Sequence, residues 1–242
     1  MASGGGWISA GSGALFTGMT NELAMNGSPL PPGTPDPPPR LPPGRHGAVL
    51  RSAAVAALGV DEVLAGLDDG RWVELWKGVL VPAERVDAPI TRGSAALLRA
   101  GPEAVLSGLT ALAAHGCAPP GRVVHLTLPY GHDLRRGKDL VLHHRAIRET
   151  EVVELDGLRV EALDVALAEQ LCRGPGRLVL DCLERAMREV GASAERFRES
   201  VRHRLNRRND RRGTRRALEL LDLAWTAPPV LVQGPIAGAG AR

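Results

Sequence analysis

Lysine is almost missing from this chain: Lys77 and Lys138 stand beside 28 arginines in 242 residues. A metal-dependent nuclease of the restriction type needs an Asp and, on a neighbouring strand, an acid-x-Lys. Glu74-Leu-Trp-Lys77 is one residue too long for that pattern, and Lys138 has Arg136 two positions before it. On sequence grounds that reading fails. Aromatic residues are also scarce, with one Tyr and two Phe, too few to build stacking platforms for single-stranded nucleic acid. The cysteines (Cys117, Cys172, Cys182) are odd in number, widely spaced and set among apolar neighbours. They make neither a disulfide framework nor a zinc motif, and a reducing cytoplasm suits them best. No stretch approaches the roughly 18–20 continuous apolar residues of a membrane span. The N-terminus lacks a charged region followed by an apolar core, so it does not read as a signal peptide. There is no P-loop, no G-x-G-x-x-G after a strand and no G-x-S-x-G.

What is present is an ordinary soluble composition, 44% apolar and 24% charged, enough for one or two domains. Residues 1–45 are Gly, Ser and Pro punctuation that cannot bury enough apolar surface to offset its ordering entropy, and the expectation is a disordered tail. Met19 and Met25 are alternative starts within it. From 46 to 89 the pattern tightens. Arg51–Leu58 has helical spacing, Gly59 breaks it, and Asp61–Leu67 forms a second short helix with Asp61 and Glu62 in its first turn. Arg71–Leu75 and Val79–Pro82, joined through Trp76-Lys77-Gly78, read as a hairpin with Gly in the left-handed position. Helix, Gly-containing turn, helix and hairpin outline a winged helix-turn-helix.

Residues 90–224 read as a second unit. Thr91 caps a helix to about Ala100, a second helix covers Ala104–His115, and strands follow at 122–128, 139–144 and 157–160. A polar loop with Arg135, Arg136 and Lys138 separates the first two strands. Four helices then run over 162–172, 177–190, from Ser193 through Leu205, and 214–224, before a loose tail at 225–242. The fold class is therefore α+β, with a helical C-terminal part. The net charge of +3 is too small to imply a polyanion partner by itself, but its distribution is uneven: −3 over 46–90, +4 over 91–145, −4 over 146–200 and +6 over 201–242.

Three constellations follow. The hairpin offers Arg71, Trp72, Trp76 and Lys77, with Arg51 opening the first helix, as contacts to a phosphate backbone. Trp72 has a second reading, as an apolar anchor holding the hairpin on the helices. The second helix is acidic where groove-reading helices carry Arg, Lys, Asn, Gln, Ser or Thr. The arginine run Arg204, Arg207, Arg208, Arg211, Arg212, Arg215 and Arg216 could hold nucleic acid or a partner; if the third C-terminal helix continued through it, Arg204, Arg208, Arg211/Arg212 and Arg215 would share a face. Otherwise it is a solvated loop pairing with acidic residues upstream. The histidines at 125, 132, 143 and 144 fall on two strands and their loop. His143 and His144 face opposite sides, so at most one joins His125, and no carboxylate or thiolate sits at ligand spacing. Cys117 near His115 does not make a nucleophile–base pair. No catalytic residue, metal or cofactor is expected.

Gly70-Arg-Trp-Val-Glu-Leu-Trp-Lys-Gly-Val79 resembles the G-R-W-x-R-x-x-x-G-V-Y hairpin of actinobacterial AbiEi-type antitoxins, from abortive-infection toxin–antitoxin systems. Ala104-Val-Leu-Ser-Gly-Leu-Thr-Ala-Leu-Ala-Ala-His-Gly116 is similar to that family's V-x-S-h-x-S-A-A-x-L-H-G segment. Val124–Pro129, Val141–Arg145 and Leu155–Val160 follow in the family's order, so the likeness covers roughly 46–224. It implies a winged helix that represses its own operon, a C-terminal domain that antagonises a nucleotidyltransferase-like toxin, and a cytoplasmic protein without enzymatic activity. Arg71 would be a wing residue and Lys77 would lie in its turn. The sequence departs from the pattern with Glu74 and Leu80 in place of Arg and Tyr, and with its acidic second helix. It also ends where many relatives continue into a restriction-endonuclease-like domain. The alternatives are a nuclease-less remnant of such an enzyme, or an interaction scaffold whose winged helix no longer binds DNA.

Overall fold

The computed structural model describes residues 40–41 and 44–226. Residues 1–39 and 227–242 of the two expected tails lie outside them. The chain divides into two units, residues 1–166 and 167–242, and it is an α+β fold.

In the first unit a short strand, β1 (Val49–Leu50), leads into two helices, α1 (Arg51–Leu58) and α2 (Val60–Asp68). Gly59 alone separates them, at φ +89°, where a side chain would be strained. The hairpin strands β2 (Trp72–Trp76) and β3 (Val79–Pro82) follow, and the sheet order is β1-β3-β2, antiparallel throughout. Gly78 sits at φ +85° in the turn, as the hairpin reading requires. The core of this part is Val49, Ala54, Val63, Trp72 and Leu80, with Leu41, Val55, Leu58 and Leu67 packed round it. Gly66 lets the indole lie directly on α2, since a Cβ there would stand 2.4 Å from Trp72 Cε3.

Helix α3 (Pro89–Ala100) starts with Pro at its first turn, where the missing N–H costs nothing. Thr91 is not its cap; its hydroxyl donates to His46 O at 2.7 Å. Small residues Gly93, Ser94, Ala95 and Ala96 are buried on this helix, which packs on both sheets. The boundary expected at 89/90 therefore runs through the first unit, not between two.

The second sheet has the order β6-β5-β4-β8-β7. Its strands are β4 (Val105–Leu106), β5 (Val124–Leu128), β6 (Leu140–His144), β7 (Val152–Leu155) and β8 (Leu158–Glu161). The helix expected from Ala104 begins only at Gly108, as α4 (Gly108–Ala114). Its first residues became the central strand, because Val105 and Leu106 are wholly buried between β5 and β8. Strand β7, absent from the sequence reading, pairs with β8 across an Asp156-Gly157 turn with both φ positive, the preferred hairpin geometry.

Helix α5 (Leu163–Arg173) crosses into the second unit, followed by α6 (Gly176–Val190), α7 (Ala194–Asn206) and α8 (Thr214–Thr226). The helices from α6 to α8 pack on one another through Val179, Cys182, Leu183, Ala186, Phe197, Val201, Leu205, Ala217 and Leu221, all buried. The 3.6-residue periodicity located all four. Helix α7 ends at Asn206, so the arginine run is not one helical face.

Candidate nucleic-acid interface

The hairpin has a base and a tip, and the turn before it disarms the base. Arg71 Nε donates to Asp69 Oδ2 at 2.6 Å, and its Nη2 donates to Glu62 Oε1 at 2.9 Å. Its guanidinium carbon lies 5.0 Å from the Trp72 ring centroid, within cation–π range. The Arg71 backbone N–H, and then its side chain, hold the Asp69 carboxyl below the usual carboxylate range. Asp69 and Glu62 in turn push the guanidinium up. Arg51 pairs with Glu74 at 3.3 Å. Trp72 is 4% exposed, so it belongs to the core and not to a phosphate-touching surface. Burial places Trp76 there too, at 5%.

At the tip, Lys77 is exposed. The residue before it ties the hairpin to the loop between β5 and β6. Trp76 Nε1 donates to Lys138 O at 2.9 Å, across 62 residues of sequence. Arg92, buried to 1% exposure, lies over the Trp76 ring at 5.4 Å. It donates to the carbonyls of Arg122 and Val86 and pairs with Asp139 at 3.6 Å. Its desolvation pulls the guanidinium below its ordinary value. Arg99 Nη2 donates to Arg135 O at 2.8 Å. These contacts seat the loop against the hairpin through Trp76 and against α3 through Arg92 and Arg99, leaving Arg135, Arg136 and Lys138 exposed. The side chains of Lys77, Arg135, Arg136 and Lys138 form no ion pair among the described residues.

Helix α2 turns Val60, Asp61, Leu64, Ala65 and Asp68 to solvent. Val60 and Leu64 are 56% and 43% exposed. No hydrogen-bond donor suited to a base edge is among them.

In the second unit the arginines divide. Arg208 is drawn into an ion pair with Glu169, Arg216 donates to Gly174 O at 3.0 Å, and Arg215 sits 3.6 Å from Glu219. Arg204 is half-buried, while Arg207, Arg211 and Arg212 are exposed. The acidic partners are thus partly those upstream, as the loop reading expects, and partly local.

His125 and His143 stack with ring centroids 5.7 Å apart. Burial, and then His143, holds the His125 imidazole below its ordinary value. No group of three or more His, Cys, Asp or Glu side chains able to hold a metal occurs among the described residues. Below the sheet, the buried Glu161 carboxylate accepts from Arg145 at 2.9 Å, Thr127 at 3.1 Å and the Gly108 N–H at 3.2 Å. Every donor there is internal, which marks a structural network. His115 Nε2 donates to Glu161 O at 2.8 Å, and burial lowers its imidazole.

No family model matches this chain. No curated protein matches it either. Among solved structures it is similar to the crystal structure of the RV2827C protein from Mycobacterium tuberculosis. The two share 17% identity over 73% of this chain and 72% of that one, with a TM-score of 0.49. No helix among the described residues is long and apolar enough to cross a membrane.

The sequence reading overlooked that Arg135, Arg136 and Lys138 lie beside the hairpin. Their charge was legible, their neighbourhood was not. The two tryptophans at the ends of β2 were the available sign that this strand buries indoles, Trp72 on α2 and Trp76 against the β5–β6 loop.

Proposed function

We propose that this protein is a non-enzymatic, antitoxin-like transcriptional regulator that binds operator DNA through a winged helix-turn-helix at 46–89. Its remainder would antagonise a nucleotidyltransferase-like toxin. The carrying observation is the β1-β3-β2 sheet closing on α1 and α2 with an exposed Lys77 at its turn. That is the order of parts a winged helix uses to bring a β-turn to a phosphate backbone, and it falls on the segment that resembles the antitoxin hairpin. The test titrates the full-length protein against the DNA upstream of its own gene and against a scrambled duplex. The reading expects preference for the upstream fragment; equal affinity for both, or none for either, overturns it.

A second reading, an interaction scaffold, is favoured by the outward face of α2. Val60 and Leu64 alongside Asp61 and Asp68 suit a protein surface better than a duplex, whose phosphates acidic side chains repel.

A further inference from the structure

We propose that the hairpin tip and the β5–β6 loop form one composite grip on the phosphate backbone of duplex DNA, made by Lys77, Arg135, Arg136 and Lys138. The proposal rests on the operator-binding reading and moves its electrostatic centre away from Arg71.

Four observations carry it. The cations come from segments far apart in sequence, and the fold holds them together through the Trp76–Lys138 hydrogen bond and the Arg99–Arg135 hydrogen bond. Gly137 is pressed so closely on this seat that a Cβ would stand 2.8 Å from both Trp76 Cδ1 and Arg99 Nη1. The chain thus passes close against the Cδ1–Nε1 edge of the indole, with a cationic residue on either side of the glycine. All four side chains are exposed and without ion pairs among the described residues, so each is available to neutralise a phosphate and displace the counterions condensed on the DNA. The nearby acids are mostly engaged. Glu74 holds Arg51 and the Gly78 N–H, and Asp139 holds Arg92 and Arg122. Asp133 remains as the exposed acid within the loop.

The chemistry selects the partner. Arg and Lys on a fixed backbone suit phosphate oxygens. The loop has no Asn, Gln, Ser or Thr between Pro129 and Asp139, so it lacks most of the side chains that read base edges. With the outward face of α2 also without them, this grip is independent of sequence. It supplies affinity and orientation rather than choice of operator. A single-stranded ligand is disfavoured by the burial of both hairpin tryptophans, which leaves no indole face for stacking.

The experiment measures binding of the full-length protein to a labelled duplex of the upstream sequence and to a scrambled duplex, by anisotropy, at about 50 and about 200 mM salt. Each lost phosphate contact shrinks the affinity drop between these conditions by about 3.5-fold. The variant R135A/R136A/K138A should therefore shrink it by about fortyfold, and K77A by about 3.5-fold, equally on both duplexes. A charge-matched control, R185A/R188A/R196A on exposed positions of α6 and α7, should leave it nearly unchanged. Circular dichroism confirms that each variant is folded.

If the wild type prefers the upstream duplex and the loop variant keeps the wild-type salt dependence, the composite grip is wrong while operator binding stands. The same holds if R211A/R212A carries the loss instead. Binding of single strands in preference to duplex also overturns the grip. Should the wild type bind neither duplex, both this inference and the operator reading fall, and an acidic protein partner becomes the better occupant of the patch.

Discussion

At the base of the β2–β3 hairpin, Arg71 satisfies its charge inside the protein; at the tip, Lys77 does not. They stand six positions apart. Arg71 is ringed by Asp69, Glu62 and the Trp72 indole, so it fixes the angle at which the hairpin leaves α2. Lys77 projects from a turn whose other polar need, the Gly78 N–H, is met by Glu74 at 2.7 Å. A cation counts toward polyanion binding only when the fold leaves it over. The arginines of the second unit follow the same rule, with Arg208 bound to Glu169 while Arg211 and Arg212 remain exposed.

The comparison can be broken most forcefully at the base. Trp72→Ala empties the site that Gly66 makes for the indole and should cost about 3–5 kcal/mol, the range for large aromatic truncations in a core. Urea denaturation with an unchanged m-value reads it. A loss below about 1 kcal/mol would mean that Trp72 does not anchor the hairpin.

A smaller effect comes from the sheet that carries the loop. His115 and His125 are held below the ordinary imidazole value, chiefly by burial. As pH falls below about 6.5, the unfolded chain takes up protons that the folded state resists. Stability therefore declines through that window, whereas the Asp69 carboxylate, held low beside Arg71, keeps its charge until more acid conditions. The melting midpoint should drop between about pH 7.5 and about pH 5.5, and H115Q/H125Q should flatten that slope. An identical slope in the variant would assign the acid sensitivity elsewhere.

The smallest effect sharpens the contrast directly. Arg71→Ala should change duplex affinity by less than about twofold at either salt concentration, because a guanidinium already neutralised by two carboxylates releases few counterions. A loss equal to that of Lys77→Ala would erase the distinction between base and tip.

How much of this could be read from the chain depends on where each cause lies. The hairpin turn was legible because Gly78 and the alternation around it are local. Helices α5 to α8 were legible because each has a long apolar stripe. Strand β4 was not. Val105 and Leu106 sit in a run rich in Ala and Leu, and only pairing with strands on both sides makes them a sheet centre. Of the Arg71 pairings, Asp69 lay two residues away and could have been foreseen, whereas Glu62 needed the fold of α2 against the hairpin. The seat of Arg135, Arg136 and Lys138 was the least accessible, since it depends on a contact spanning 62 residues.

Gly137 shows what that seat demands. Its hydrogen is the entire clearance between the loop and the Trp76 ring, so even a methyl at this position acts as a wedge. Lever the loop off the indole and the Lys138 carbonyl parts from its donor, while Arg136 and Lys138 swing away from the turn they flank. One hydrogen atom thus sets the spacing of cations contributed by two distant stretches of chain.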